Sequence, residues 1–406
     1  MPDPLDHVRA LAHQVAEVAH SDRMVALRRL WARHNNLEKV ERPPVLCRPA
    51  CWHELIPADS LVSPEPVRRE IEYTLRQHLY KAGLADDSVI EPWVEVAAVH
   101  LGADRPMMWG VNIDVVAPEH GGAFAFKPEI KEEGDLSKLK VPDWRLDEAA
   151  TRQRFERASE LLDGILEVRL TYGRLHGAGL AYWAAYLRGL NQMMLDCSDR
   201  PQWLHRFMKL LSDAHVQHLR GLEADGHLTR NDNGLLGHCD GLPQPDFDGE
   251  HVRLIDTWCG ADAQEFALVS PAMHEEFLLQ YQAPIANLHG LTSYGCCESL
   301  NGKIGMLKRH LPNLRRLAVS PWTDLEYAAA ECLRDYVMQW RPKPTDVVFT
   351  FDEADMVRDV TRAMAVAGNC LVDICLQDIE TVAGRPETLL IWTRLAQEVG
   401  ARMYHR

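Results

Sequence analysis

Short β-type runs alternate with amphipathic helical stretches along most of the chain, and this alternation constrains the fold more than any other feature. Runs of this kind stand at 45–47, 94–99, 174–180, 227–231, 291–294, 314–319, 347–350 and 371–376. Between most of them lie segments with apolar residues at helical spacing, such as 270–289, 352–367 and 386–399. A strand, a helical crossover and a further strand in one sheet pair in parallel. Eight such units within 406 residues predict an α/β fold, a closed (β/α)8 TIM barrel. An open doubly wound sheet would carry a nucleotide fingerprint after a strand, and neither GxGxxG nor GxxxxGK[ST] occurs.

Ahead of these units the chain is helical. Asp3 and Pro4 supply a cap and a first-turn proline, and Leu5, Val8, Ala12, Val15 and Ala19 then recur at helical spacing. A second helical stretch runs from about 22 to 37. The expected organisation is a helical N-terminal arm over 1–40 and a barrel over 41–406. Within the barrel, 112–128 reads as a β-hairpin turning at Gly121-Gly122. The helix bearing Ile71, Leu75 and Leu79 is expected to stop at Gly83, and two later helices at Gly368 and Gly400.

Charge narrows the partners. Lys and Arg total 44 against 59 Asp and Glu, a formal net charge of −15 with no basic block. Such a surface repels nucleic acid and anionic lipid, so a small molecule or another protein is the expected partner. No run approaches the length of a membrane span, and the polar N-terminus lacks an apolar signal region, so the reading is cytoplasmic. There the ten scattered cysteines are reduced thiols, either packing residues or site residues.

Barrel enzymes place their chemistry at the C-terminal strand ends and the loops that follow. That rule selects Arg48, Cys51, His53 and Glu54, then His100, then His176, then Asn231, Asp232 and Asn233. It continues with Cys296, Cys297 and Glu298, then Ser320 and Trp322, then Gln377, Asp378 and Glu380. The sharpest local feature is TSYGCCESL at 292–300, two adjacent thiols and a carboxylate leaving a strand. Thiolates there suit Zn²⁺, although successive strand residues point to opposite faces and two inert buried thiols are the other reading. The loop at 230–247 adds His238, Cys239 and Asp240 as further ligand types. In CRPACWHE, Arg48 is suited to clamp a carboxylate or phosphate, and His53 or Glu54 to act as acid or base. A surface ion pair explains Arg48 equally well. No GxSxG or HExxH is present.

The stretch 262–300, with Ser270, Pro271, Phe277 and Tyr281 in its helix, resembles the uroporphyrinogen decarboxylase superfamily, which also contains corrinoid- and coenzyme-M-type methyltransferases. RPPVLCRPACWHELIP sits where decarboxylases carry an arginine-bearing first strand. PNLRRLAVSPWTDLE, WRPKPTDVVFTFDE and CLVDICLQDIETV resemble a decarboxylase-like subgroup found near corrinoid proteins. The resemblance spans nearly the whole chain and implies the same barrel. It departs from true decarboxylases, where an MRQAGR stretch binds porphyrin carboxylates, because here only Arg48 matches. In the methyltransferase branch a His-x-Cys and a later Cys hold zinc. Alignment places Tyr294 at the His and Cys296 at the first Cys, and the later Cys has no match at 347–350.

The resemblance therefore implies a zinc-dependent methyltransferase, moving a methyl group between a corrinoid or other activated donor and a thiol-type acceptor. Cys296, Cys297, His238 and Cys239 are the candidate metal ligands. Glu298, His100 and Asp232 are the candidates for proton transfer or ligand orientation, and Arg48, His53, Tyr294 and Trp322 for substrate contact. A corrinoid protein is the implied partner; dimers are common among barrels, so a homodimer is one open alternative for the assembly. The alternatives are a decarboxylase or other lyase whose small carboxylated substrate is held by Arg48, and a non-catalytic partner of a corrinoid protein.

Overall fold

The structure, a computed structural model, describes residues 3–101, 109–116, 125–142, 145–173, 177–231, 239 and 241–404. The strands in chain order are β1 (Val45–Pro49), β2 (Trp93–Ala97), β3 (His100–Leu101), β4 (Asp114–Val116), β5 (Ala125–Lys127) and β6 (Arg145–Leu146). They continue with β7 (Glu167–Thr171), β8 (Trp258–Ala261), β9 (Leu291–Tyr294), β10 (Leu314–Val319), β11 (Val337–Trp340) and β12 (Leu371–Ile379). Six of them form one parallel sheet in the order β1-β12-β11-β10-β9-β8. β2 and β7 form a separate parallel pair, and a parallel bridge from Gly177 to Gly260 brings the chain after β7 against β8. β12 thus returns beside β1 in a curled half-barrel of TIM-like type, with helices between its strands. The expected ring is met in part, because no ladder joins β1 to β2 among the described residues.

Several expected strands move. The chain at 227–231 is irregular, and 347–350 falls at the end of the helix Pro344–Val348, started by a proline at its first position. The strand expected at 174–180 lies earlier, at β7. β8 and β11 take the vacant places. Their runs, WCGA and VMQW, are broken by Gly260 and Gln339, which hides them from a search for continuous apolar residues. The hairpin is present as antiparallel β4 and β5, while Gly121-Gly122 lies outside the described residues. Ala85, not Gly83, takes the left-handed conformation that stops the helix Pro66–Leu84, with φ 54°. Gly400 lies inside the helix Glu387–Tyr404, where an added Cβ would stand 2.9 Å from Pro43 Cγ.

The two N-terminal helices form as read. In α1 (Pro4–Ala19) the Asp3 side chain accepts from Leu5 N–H at 2.9 Å, and Val8, Ala12, Val15 and Ala19 are buried. Burying each valine contributes about 1.5–3 kcal/mol. α2 (Asp22–Asn35) runs against the sheet, where Trp31 packs with Leu46 and Cys375. Its last turn delivers His34 and Asn35 to a polar lock among the strands. Asp373 of β12 pairs with Arg316 of β10, faces His34 Nε2 at 3.2 Å and accepts from Gln339 Nε2 at 2.9 Å. Arg316 also donates to the Asn35 side chain. No helix among the described residues is long and apolar enough to cross a membrane.

Candidate functional site

The site assembles where β8, β9, β10, β11 and β12 end. After Tyr294 the chain turns at Gly295, whose φ is +110° and whose added Cβ would stand 2.8 Å from the Ala318 carbonyl. Glycine alone fits that turn. Cys296, Cys297 and Glu298 follow, and Glu298 pins them. It is 1% exposed, its Oε1 accepts from Ala263 N–H at 2.8 Å and its Oε2 from Cys296 N–H at 2.9 Å. Its carbonyl accepts from the Ser320 hydroxyl at 2.8 Å, which ties the same turn to the end of β10.

The two thiols lie together, with Cys296 Sγ 3.6 Å from Cys297 Sγ, and Cys297 Sγ 3.6 Å from Asp378 Oδ2. Asp378 holds a left-handed backbone, φ 61°, a region that aspartate enters more readily than most non-glycine residues. Arg341, just past β11, donates through Nη1 to the Cys296 carbonyl at 3.0 Å and through Nε to Gln339 Oε1 at 3.1 Å. Gln339 in turn donates to Asp373, so a chain of hydrogen bonds runs from the α2 lock to the thiol pair.

Electrostatics separate the groups. The Cys297 hydrogen bond holds the Cys296 thiol below its usual value, helped by the Arg341 charge and opposed by burial and by Asp262. Cys297 is pushed up by its bond to Cys296, by burial and by Asp378. Burial alone is the leading cause that raises Cys47, Cys259 and Cys332, each to about 12, so these behave as packing thiols. Beside the pair, burial together with Glu298 and Glu265 pushes the Asp262 carboxyl up to about 7.

The remaining sequence candidates divide. Arg48 is exposed and donates to Gln377 Oε1 at 3.3 Å, and Gln377 reaches Asp378 Oδ1 at 3.4 Å, which places Arg48 on the same rim. Trp322 is 65% exposed just after β10. His53 projects into solvent on the short helix Trp52–Leu55, 3.9 Å from Glu54. His100 donates to the Tyr172 carbonyl at 2.9 Å. Tyr294 is fully buried and its hydroxyl donates to Gln282 Oε1 at 3.1 Å and faces His274 Nε2 at 2.8 Å, inside the helix layer.

Cys239 packs with Trp258 and Leu291, the first residues of β8 and β9, and donates to Asn36 Oδ1 at 3.0 Å. It therefore sits at the opposite end of the strands from Cys296 and Cys297. His176, Asp232, Asn233, His238 and Asp240 lie outside the described residues. Asp262 and Arg341 escaped the sequence reading because each follows one of the two strands it missed. The signal for Arg341 was WRPKP, an arginine leaving an apolar run ahead of a proline-started helix.

Two thiolates bound at about 2.3 Å on a tetrahedral zinc stand roughly 3.8 Å apart. The Cys296–Cys297 separation of 3.6 Å fits two positions of such a site. Among the described residues no set of three His, Cys, Asp or Glu side chains converges as metal ligands.

Fold and rim together define a TIM-like α/β protein with a thiol- and acid-lined edge at the C-terminal strand ends. No protein-family model matches the chain, and neither does any curated protein. Solved structures do match. One is a methyltransferase from Methanosarcina mazei, similar at a TM-score of 0.52 and 13% identity, over 92% of this chain and 98% of that one. At that identity the likeness concerns the fold.

Proposed function

We propose that the protein is a methyltransferase of the uroporphyrinogen decarboxylase-like superfamily, moving a methyl group between a corrinoid or other activated donor and a thiol-type acceptor. The observation that carries this reading is the adjacent thiol pair at the end of β9, 3.6 Å apart and pinned by a buried glutamate. Likeness of fold to a methyltransferase supports it. Cys296 and Cys297 are the proposed zinc ligands. Bound there, zinc would lower the pKa of the acceptor thiol and keep it as a thiolate nucleophile at neutral pH. Glu298 orients the pair through the Cys296 N–H, and Arg341 fixes the same residue through its carbonyl. The methyl donor is proposed to arrive on a corrinoid protein docking at the C-terminal strand ends.

Metal analysis of protein purified without chelator and without oxygen tests the reading. One equivalent of zinc in the wild type, lost in the double variant Cys296→Ser with Cys297→Ser, is the expected result. Wild-type protein free of zinc and other transition metals would overturn it.

One observation favours a second reading, a lyase acting on a small carboxylated substrate. Asp262, with its carboxyl raised to about 7, is suited to deliver a proton at neutral pH to the carbanion left by decarboxylation, with Arg48 across the rim holding the substrate. Turnover lost in Arg48→Ala and kept in the cysteine double variant would select the lyase; the reverse pattern would select methyl transfer.

A further inference from the structure

The ten cysteines divide sharply by exposure. Eight are buried, and the adjacent pair is not: Cys296 is half-buried and Cys297 is exposed. In an extended strand neighbouring side chains point to opposite faces, which keeps adjacent sulfurs apart. Here β9 ends at Tyr294, and the left-handed turn at Gly295 breaks that alternation. Both sulfurs come to the same side, 3.6 Å apart. Among the described residues no set of three ligands encloses them, so the pair is open to reagents from solvent. A solvent-reachable thiol with a second thiol in contact is the arrangement of a redox-responsive site.

The surroundings decide what a bond between the sulfurs costs. Cα atoms of adjacent residues joined by a trans peptide stand about 3.8 Å apart. Ordinary disulfides span about 4.4–6.8 Å between Cα atoms, so a bridge between neighbours is strained and more easily reduced. Its small ring contains the Cys296–Cys297 peptide bond, whose carbonyl oxygen in the reduced pair accepts from Arg341 Nη1 at 3.0 Å. Closing the ring twists that peptide and weakens the Arg341 contact. It also removes the S–H that Cys297 donates to Asp378 Oδ2 at 3.6 Å. The Cys296 N–H lies outside the ring, so the Glu298 anchor at 2.9 Å holds the turn in both states. The reduced pair is therefore the resting form, and small thiols restore it.

We propose that Cys296 and Cys297 are a reversible modification site, closing to a vicinal disulfide when a hydroperoxide reaches the rim. One thiol attacks the peroxide O–O bond, becoming a sulfenic acid and releasing an alcohol or water. The second thiol displaces the hydroxyl of that sulfenic acid as water, and the S–S bond forms. Together the two thiols give up two protons and two electrons, and the peroxide is reduced. Two equivalents of a small thiol reverse the step and leave as their own disulfide. The modification stands on the geometry of the pair. Its consequence, loss of methyl transfer, rests on the reading of these sulfurs as zinc ligands.

Mass spectrometry tests it on the full chain as purified. The protein is treated briefly with a few equivalents of hydrogen peroxide, quenched, and blocked with N-ethylmaleimide in denaturant. Chymotryptic cleavage after Tyr294 and Leu300 releases GCCESL, which holds both thiols of the pair and no other cysteine. The expected product is that fragment unblocked and two hydrogens lighter, and doubly blocked when dithiothreitol precedes the maleimide. The eight buried cysteines are expected to stay reduced. In Cys297→Ser no bridge is expected, and Cys296 stops at a sulfenic acid trapped by dimedone. A wild-type fragment still doubly blocked after peroxide overturns the proposal. So does one carrying sulfinic oxygens without a bridge, or one linked to a second chain. Zinc measured on the same samples separates the two readings. Zinc released in step with bridge formation supports both. A bridge in protein that holds no metal supports the modification site and removes the zinc reading, and zinc retained over unoxidised thiols does the reverse.

Discussion

Glu298 and Cys296 are joined by a hydrogen bond from the Cys296 N–H to Glu298 Oε2, 2.9 Å long, while the other oxygen of the same carboxylate accepts from Ala263 N–H at 2.8 Å. One buried side chain thereby fixes the thiol pair to the end of β8. Truncation to alanine would leave the buried Ala263 N–H and the half-buried Cys296 N–H without acceptors, at about 1–3 kcal/mol each. Glu298→Ala is expected to lower the unfolding free energy by about 2–5 kcal/mol, and Glu298→Gln, which retains one acceptor oxygen, by about half as much. Urea denaturation measures both. A loss in E298A within experimental error of zero would show that the turn holds without this anchor.

The lock between β10 and β12 is the larger electrostatic commitment. Burial pushes the Asp373 carboxyl up, but the Arg316 charge and the His34 hydrogen bond outweigh it and hold the group below the usual carboxylate value. Asp373→Ala would strand the fully buried Arg316. The expected loss is about 3–5 kcal/mol. The double variant Arg316→Met with Asp373→Leu replaces the pair by apolar volume and is expected to lose much less, because no charge is left uncompensated. If chemical denaturation finds D373A no less stable than the double variant, the pair is not coupled in this way.

Much of this arrangement was legible in the sequence where apolar continuity marks a strand. β1, β9, β10 and β12 are runs of that kind, and the rule that barrels react at strand ends then led directly to Cys296, Cys297 and Glu298. β11 was hidden because Gln339 sits in its buried run, tolerated since its amide is used at both ends, by Asp373 and by Arg341. Arg341 was hidden with it, and Asp262 with β8. Cys239 has a ligand's chemistry, yet it packs against the opposite ends of β8 and β9, a separation along the strand axis that spacing in the chain does not encode. Tyr294 aligned with a ligand position, but strand alternation turns it into the helix layer toward Gln282 and His274.

That helix layer makes stability depend on pH with a definite sign. Burial, reinforced by the Lys303 charge, lowers His274 from 6.5 to about 3, and burial lowers His78 from 6.5 to about 4. As pH falls below 6.5, unfolded chains take up protons that these folded histidines refuse, so stability is full above 6.5 and drains away toward 3 to 4. Each histidine contributes a slope of about 1.4 kcal/mol per pH unit across that window. Asp262 acts in the opposite sense. Its folded value near 7 exceeds the ordinary 3.8, so the folded chain binds a proton first and gains stability as pH falls between those values. His274→Gln preserves a donor toward Tyr294 and is expected to flatten the acid limb, whereas Asp262→Asn removes the opposing contribution and is expected to steepen it. Unfolding free energies measured at several pH values between 7 and 4 decide the matter, and curves for H274Q and wild type that run parallel would show that His274 is not held neutral by the fold.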